Sequence, residues 1–210
     1  MTSFRAVRSQ EKADAYIDQR FGVSGRMSRL DRLEQGFAAG LMQLVGPEGV
    51  VADIPCGNGR FVEVFSQARE LLLIDYAPTM LEALQKRCPD LPNAKLLVGD
   101  ITDLSLPDGS VDLAFCMRLF HHIEDGEMRR AALGELARIS RRYVAFSFYS
   151  TSSWRYWRRR LLGKKPSGHA IPMKTMLAEA AACGLQFEWC YPRFQFVEQQ
   201  RLLLFSKVDS

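Results

Sequence analysis

Short apolar runs alternate with segments of helical spacing along most of the chain. Val50 to Ala52, Leu71 to Ile74, Ala94 to Val98 and Val111 to Met117 are strand-length apolar stretches, rich in branched residues. Between them, Phe61 to Arg69 and Pro78 to Cys88 are compatible with helices; Pro78 stands at a first turn, and Met80, Leu81 and Leu84 lie on one side. Ahead of the first strand, Leu30, Leu33, Phe37, Leu41 and Leu44 recur at helical spacing, which predicts a helix laying that face on a core. Asp125 to Ile139 repeats the pattern, with Met128, Ala132, Leu136 and Ile139 expected inward and Arg129, Arg130 and Arg138 outward as a solvated face. A fifth strand is expected over Tyr143 to Tyr149. A helix over Met173 to Cys183, ended by Gly184, and two strands, Leu185 to Tyr191 and Gln200 to Val208, close the chain. Strands separated by helices of about 10–15 residues make a doubly wound α/β fold with a mostly parallel sheet and helices on both faces.

Each of the first four strands ends on small or polar residues. The first runs into Asp53-Ile54-Pro55-Cys56-Gly57-Asn58-Gly59, the second ends at Asp75, and the third ends at Gly99-Asp100-Ile101. Ligands of open parallel sheets bind at these carboxyl ends. Glycines at 57 and 59 admit unusual backbone angles and remove the Cβ atoms that would keep a ligand from the backbone. The N–H groups of such a loop and of the helix after it suit a carboxylate or a phosphate. By itself the pair is equally a glycine turn between strand and helix. Asp75, about 20 residues beyond the loop, stands where doubly wound folds bind ribose hydroxyls. Position 62 is Val, so the third glycine of a dinucleotide fingerprint is missing and NAD is the weaker reading.

Taken together, Asp53-x-Pro55-Cys56-Gly57-x-Gly59, Asp75, Gly99-Asp100 and Leu119-Phe120-His121-His122 resemble the class I S-adenosylmethionine (SAM) dependent methyltransferases, over about Val50 to Tyr149. The resemblance is closer to their small-molecule branch, which includes ubiquinone-pathway enzymes. It implies that SAM is the cofactor and that Asp53, Cys56, Gly57 and Gly59 line its methionine part. Asp75 would hold the ribose, Tyr76 and Met80 would flank the adenine, Asp100 and Ile101 would meet the adenine edge, and Met117 would lie near the sulfonium. It also implies a seven-stranded sheet of Rossmann-like type, completed by an antiparallel C-terminal hairpin. Two departures stand out. Pro55 replaces the more usual glycine and removes an N–H donor, and Ser140-Arg141-Arg142 replaces the Pro-Gly turn usual before the fifth strand.

Length and composition set the limits. A chain of 210 residues with 47% hydrophobic content supports one sizeable core, so a single domain is expected. Within it we distinguish an N-terminal helical lid (1–48), a SAM-binding core (49–150), a basic and aromatic insertion (151–172), and a C-terminal helix with hairpin (173–210). The chain has no run of 18 apolar residues and no signal-like start, which predicts a cytoplasmic protein, with peripheral contact at the inner membrane surface open. Five cysteines without a Cys-x-x-Cys pair argue against a disulfide framework and against zinc, so no metal is expected. A net charge of +4 does not by itself indicate nucleic acid.

Three features carry candidate chemistry beyond the cofactor loop. Tyr16, Arg20, Phe21, Gly25 and Arg26 cluster ahead of the first helix, either as a solvated helix end or as a lid on which Arg20 or Arg26 pairs the cofactor's carboxylate. His121 and His122, two of the three histidines, follow the fourth strand. Neighbours in sequence cannot face the same way, so at most one serves as a general base while the other is structural; equally, both are structural. Finally, six basic residues between 151 and 170 (Arg155, Arg158, Arg159, Arg160, Lys164, Lys165) meet no acid, and Trp154, Trp157 and Leu161 share a face. This segment reads first as a substrate lid and second as a peripheral membrane contact through 154–165, giving access to a lipid-like acceptor. RNA comes last, since the aromatics lie on the apolar stripe rather than among the charges. The expected activity is methyl transfer to a small-molecule or lipid-like acceptor, at oxygen first, with carbon and nitrogen open. The rivals are a SAM-binding partner without turnover and an RNA methyltransferase.

Overall fold

The computed structural model describes residues 29–163, 168–191 and 199–208. The expectation for Arg20 and its neighbours falls outside them, as do Lys164 and Lys165. The chain divides into two compact units, Met1–Asp100 and Ile101–Ser210, taken here in turn.

In the first unit, helix α1 (Arg29–Val45) buries Glu34, Phe37, Ala38, Leu41, Met42 and Val45. The expected stripe is therefore rotated: Leu44 is exposed, because the buried face runs through positions 34, 38, 41 and 45. Strands β1 (Val50–Asp53), β2 (Glu70–Asp75) and β3 (Ala94–Val98) pair in parallel, β1 on β2 from Val50↔Glu70 to Asp53↔Leu73 and β2 on β3 from Leu71↔Ala94 to Asp75↔Val98. β1 is buried along its whole length and β2 along all but its first residue, as continuous apolar runs of a parallel sheet require. Between β1 and β2 the expected helix over Phe61 to Arg69 shrinks to α2 (Val62–Phe65), with turns on either side. Helix α3 (Pro78–Arg87) connects β2 to β3, with Pro78 in its first turn and Lys86 and Arg87 in its last.

In the second unit, β4 (Val111–Cys116) is wholly buried and pairs in parallel with β5 (Ser140–Ser150). A 3₁₀ turn (Phe120–His122) leads into α4 (Gly126–Ile139), whose N-cap Asp125 accepts a hydrogen bond from the Glu127 amide at 2.8 Å. No turn separates α4 from β5, and Ser140-Arg141-Arg142 are already strand, with Arg141 in a bidentate pair to Asp112 at 2.6 and 2.7 Å. The chain continues through α5 (Trp154–Leu161), β6 (Ala170–Ile171), α6 (Met173–Ala182), β7 (Leu185–Tyr191) and β8 (Gln200–Lys207). β8 runs antiparallel to both β5 and β7, giving the expected C-terminal hairpin. β6 was not expected: its two residues pair in parallel with Tyr149 and Ser150 and bring the excursion after β5 back to that strand's end.

Two arginines assigned to the solvated face of α4 do other work. Arg129 is buried; its Nε and Nη2 meet both carboxylate oxygens of Glu179 on α6 at 2.9 and 2.7 Å, and its Nη1 donates to the carbonyls of Glu124 (2.7 Å) and Ile123 (3.2 Å). With each charge matched, the pair withstands a low-dielectric position that an isolated arginine would not. Arg138 donates to the carbonyls of Leu104 and Leu106, at 2.8 and 2.7 Å, and to the carboxylates of Asp108 and Glu135, pinning the segment before β4. Arg130 is exposed as expected.

Candidate functional site

The loop after β1 closes on itself through the backbone. The Cys56 amide donates to the Ile74 carbonyl at 2.8 Å, and the Gly59 amide to the Cys56 carbonyl at 3.0 Å. Gly57 and Gly59 both adopt positive φ, +56° and +81°, for different ends. At Gly57 the amide donates to Asp75 Oδ2 at 2.9 Å, while an added Cβ would meet only Met80 Cε, at 3.6 Å. At Gly59 an added Cβ would stand 2.9 Å from both Leu84 Cγ and Val62 Cγ2. The space at Gly59 thus belongs to Leu84 of α3, and the expectation that this glycine clears room for a ligand gives way to one of helix packing.

Asp75 and Asp53 have opposite surroundings. Asp75 is held by two backbone amides, Gly57 on Oδ2 and Ala77 on Oδ1, each at 2.9 Å. Asp53 is buried, and neither carboxylate oxygen has a hydrogen-bond partner among the described residues. Burial raises its pKa well above the ordinary carboxylate range, the nearby Asp75 charge raises it further, and Arg60 opposes both. Burial, with the charges of Asp53 and Asp75, likewise raises the Cys56 thiol, so it stays protonated and unreactive. Two neighbouring acids, one of them unsatisfied, are matched by a cation that can donate hydrogen bonds.

Arg60, unremarked in the sequence, anchors this loop to α1. Its Nη2 donates to Asp31 at 2.6 Å and to the buried Glu34, and its carbonyl accepts from Gln35 Nε2 at 2.9 Å. Arg87 of α3 donates to the Asn58 carbonyl at 3.0 Å, fixing the loop from the other side. Of the remaining cofactor candidates in this unit, Met80 is buried against Gly57, Tyr76 is exposed and Asp100 half-buried.

In the second unit Ile101 and Met117 are both buried. Arg118, next along, adopts a left-handed backbone (φ +58°), and its amide donates to Ser147 Oγ of β5 at 2.8 Å. The histidines differ in burial, but their rings lie together, centroids 4.0 Å apart and planes 44° apart, so the expectation that neighbours in sequence face different ways fails in this 3₁₀ turn. His121 is buried and stacks on Tyr149, ring centroids 4.0 Å apart and planes 11° from parallel; His122 is exposed. Burial first, and then the neighbouring His122, push the His121 pKa down to about 3, so that ring is neutral at physiological pH and a feeble proton acceptor. Its carbonyl accepts from the His169 amide at 2.8 Å, and Gly168 packs so close that an added Cβ would lie 2.9 Å from His121 Cδ2 and from its carbonyl oxygen. No group of side chains suited to hold a metal occurs among the described residues.

Residues 51–142 match the model of a methyltransferase domain family. Among curated proteins, the chain is 33% identical over 107 residues to a malonyl-[acyl-carrier protein] O-methyltransferase of Methylococcus capsulatus, covering 49% of this chain and 38% of that protein. It is 32% identical over 98 residues to a mouse tRNA (carboxymethyluridine(34)-5-O)-methyltransferase, covering 45% of this chain and 14% of that protein. The chain thus spans well under half the length of these curated relatives. Among solved structures, magnesium protoporphyrin IX methyltransferase from Synechocystis, solved with bound SAH, superimposes with a TM-score of 0.75 at 14% identity, covering 96% of this chain and 98% of that one. The chain therefore has the Rossmann-like methyltransferase fold, with the antiparallel C-terminal strands expected of it.

Proposed function

We propose, from the match of residues 51–142 to a methyltransferase domain family, that this chain is a class I SAM-dependent methyltransferase that transfers a methyl group from SAM to an oxygen of a small-molecule or lipid-like acceptor. The observation that carries the reading is the Asp53 carboxylate, buried and without a hydrogen-bond partner among the described residues, behind a glycine loop tied to Asp75. A carboxylate so placed favours a cationic ligand, and the ammonium and sulfonium of SAM are cationic. When bound, SAM supplies a methyl group made electrophilic by its sulfonium sulfur.

The residues of the chain divide the remaining work. Asp53 takes the ammonium, with Cys56, Gly57 and Gly59 shaping the loop beside it. Asp75, aimed by two amides, is the group that would hold the ribose hydroxyls, as the family resemblance implies. Tyr76, Met80, Asp100, Ile101 and Met117 keep the roles that the family resemblance gives them, as does Arg20. Because the methyl group needs little activation, alignment and exclusion of water carry most of the rate. A base is needed only for the acceptor proton. His121, with its pKa near 3, is a poor candidate, which leaves His122 for that role and His121 as the packed support of the turn.

Calorimetric titration with SAM tests the cofactor site. Asp75→Ala and Gly57→Val should each abolish binding; wild-type affinity in both variants would sink the assignment. Incubation with methyl-labelled SAM and fractionated cell extract tests the acceptor. Label in a small or solvent-extractable product supports the reading, whereas label in RNA overturns it. SAM binding with no labelled product leaves a binding protein without turnover.

A further inference from the structure

Helix α5 is unlike the other helices among the described residues. Trp154, Trp157 and Leu161 are 61%, 53% and 79% exposed, and Leu162 just beyond it is exposed as well. At 3.6 residues per turn the first three fall within an arc of about 60°. Arg158 and Arg160 lie on either side of that arc and are exposed too. Ser153 caps the helix, its Oγ accepting from the Tyr156 amide at 3.1 Å, so this face is presented on an ordered turn of chain. The excursion that carries it leaves the carboxyl end of β5 and returns to that end through β6, with Gly168 and His169 fastened to the His121 turn.

Exposed tryptophan on a soluble surface costs free energy unless something covers it, and the cations at its margins specify what. A protein partner with a matching apolar groove would need acids around its rim. A phosphate-bearing polymer would be met by the arginines but would leave the indoles idle on their own stripe. An anionic bilayer satisfies both at once: indole rings rest at the headgroup level, arginine stems extend along the apolar face, and guanidinium groups reach lipid phosphates. We infer that α5 is a membrane-surface anchor that seats Trp154, Trp157 and Leu161 in the interface of an anionic lipid bilayer, with Arg158 and Arg160 on its phosphates. This does not depend on the methyl-transfer reading, and its test uses no SAM except in a control.

The test is co-sedimentation of the full chain with vesicles of phosphatidylcholine alone and of phosphatidylcholine doped with phosphatidylglycerol. A parallel measurement follows tryptophan emission in a Trp189→Phe background, which leaves two of the three tryptophans, both on α5. Binding is expected on the anionic vesicles, with an emission blue shift, and should weaken as salt is raised. The double variant Arg158→Gln/Arg160→Gln should lose about thirtyfold in partition, from about fivefold for each charge near such a surface. Trp154→Ala/Trp157→Ala should abolish the remainder; circular dichroism identical to wild type confirms that it folds, as the exposure of both side chains leads one to expect. Equal partition on both vesicle types, or none on either, overturns the inference. So does a shift in emission on adding SAM without vesicles in a protein that ignores lipid, which would make the segment a substrate lid. Binding to RNA in preference to anionic vesicles overturns it in favour of nucleic acid. Because SAM calorimetry is read separately, failure here leaves the cofactor site standing, and failure there leaves the anchor.

Discussion

The most exacting prediction concerns Asp53→Asn, a nearly isosteric change that removes a charge and little else. Asp53 is buried with both oxygens unpartnered among the described residues, next to a second acid. Its folded pKa is raised, so the folded state holds a proton more tightly than the unfolded chain does. Stability from this group is therefore fully present below the ordinary carboxylate pKa, is lost progressively as pH rises through the folded value, and levels off above it. Asparagine is spared that loss. A buried unsatisfied polar group costs about 1–3 kcal/mol, and more when charged. The replacing amide is unsatisfied too, so only the excess cost of the charge separates the two; taking that excess as about 2 kcal/mol, and about 2–4 °C per kcal/mol for a chain of this size, the variant should melt about 4–8 °C above wild type at alkaline pH. Toward pH 4 the two should converge. SAM should reverse the order, because the loss of a hydrogen bond between charged partners, about 1.5–3 kcal/mol, weakens binding by about ten- to over a hundredfold. Scanning calorimetry across pH, with and without SAM, reads both effects. A variant less stable than wild type at alkaline pH without ligand, or one that binds SAM as tightly, refutes the reasoning.

Two further predictions follow from the same geometry. Gly59→Ala, with φ of +81° and a Cβ 2.9 Å from Leu84 and Val62, should cost more than Gly57→Ala, where left-handed strain of about 1–2 kcal/mol acts without a clash. Urea melts that rank the two equally would remove the distinction between packing glycine and loop glycine. His121, held near 3 when folded and at about 6.5 when unfolded, contributes stability that is complete above about pH 6.5 and is lost as pH falls toward 3. NMR titration should find its ring still neutral at pH 4.5, and His121→Gln should flatten the acid limb of the stability profile. A ring titrating near 6.5 would contradict the buried, stacked position.

The strands and their ends were legible because a parallel strand buried on both faces leaves a continuous apolar run, and the acids that stop such runs, Asp53 and Asp75, interrupt it visibly. The ion pairs were not legible. Arg129 reads as a solvated charge on the exposed side of a helix until its partner Glu179, fifty positions later, is brought against it, and no periodicity within α4 reports that. The Arg60 network had one sign in the sequence: Glu34 falls on the face of α1 with Phe37, Ala38 and Leu41, where a carboxylate is stable only if a cation comes to it. β6 is two residues long, below what alternation can reveal. His121 and His122 look equivalent in one dimension; only the stacking of Tyr149 against the first distinguishes a neutral buried ring from an exposed one.

The loop shows why its ligand class could be argued from the structure and not from the glycines alone. Gly59 yields its space to Leu84, and Gly57 spends its amide on Asp75, so of the two glycines only Gly57 keeps room beside it and its N–H is no longer offered to a ligand. What remains unsatisfied is polar: both oxygens of Asp53, and on the donor side Asn58 Nδ2 and Arg60 Nη1, are buried without a hydrogen-bond partner among the described residues. Arg60, the cation that opposes the rise in the Asp53 pKa, has its Nη2 bound to Asp31 and Glu34, so it can temper the Asp53 charge but offers that atom no further. A phosphate, which a glycine loop before a helix would ordinarily invite, would bring negative charge toward Asp53 and Asp75 and be repelled. A ligand with a positive end would relieve Asp53, which supports the reading of an amino-acid-bearing nucleoside over a dinucleotide for a reason independent of the residue at position 62.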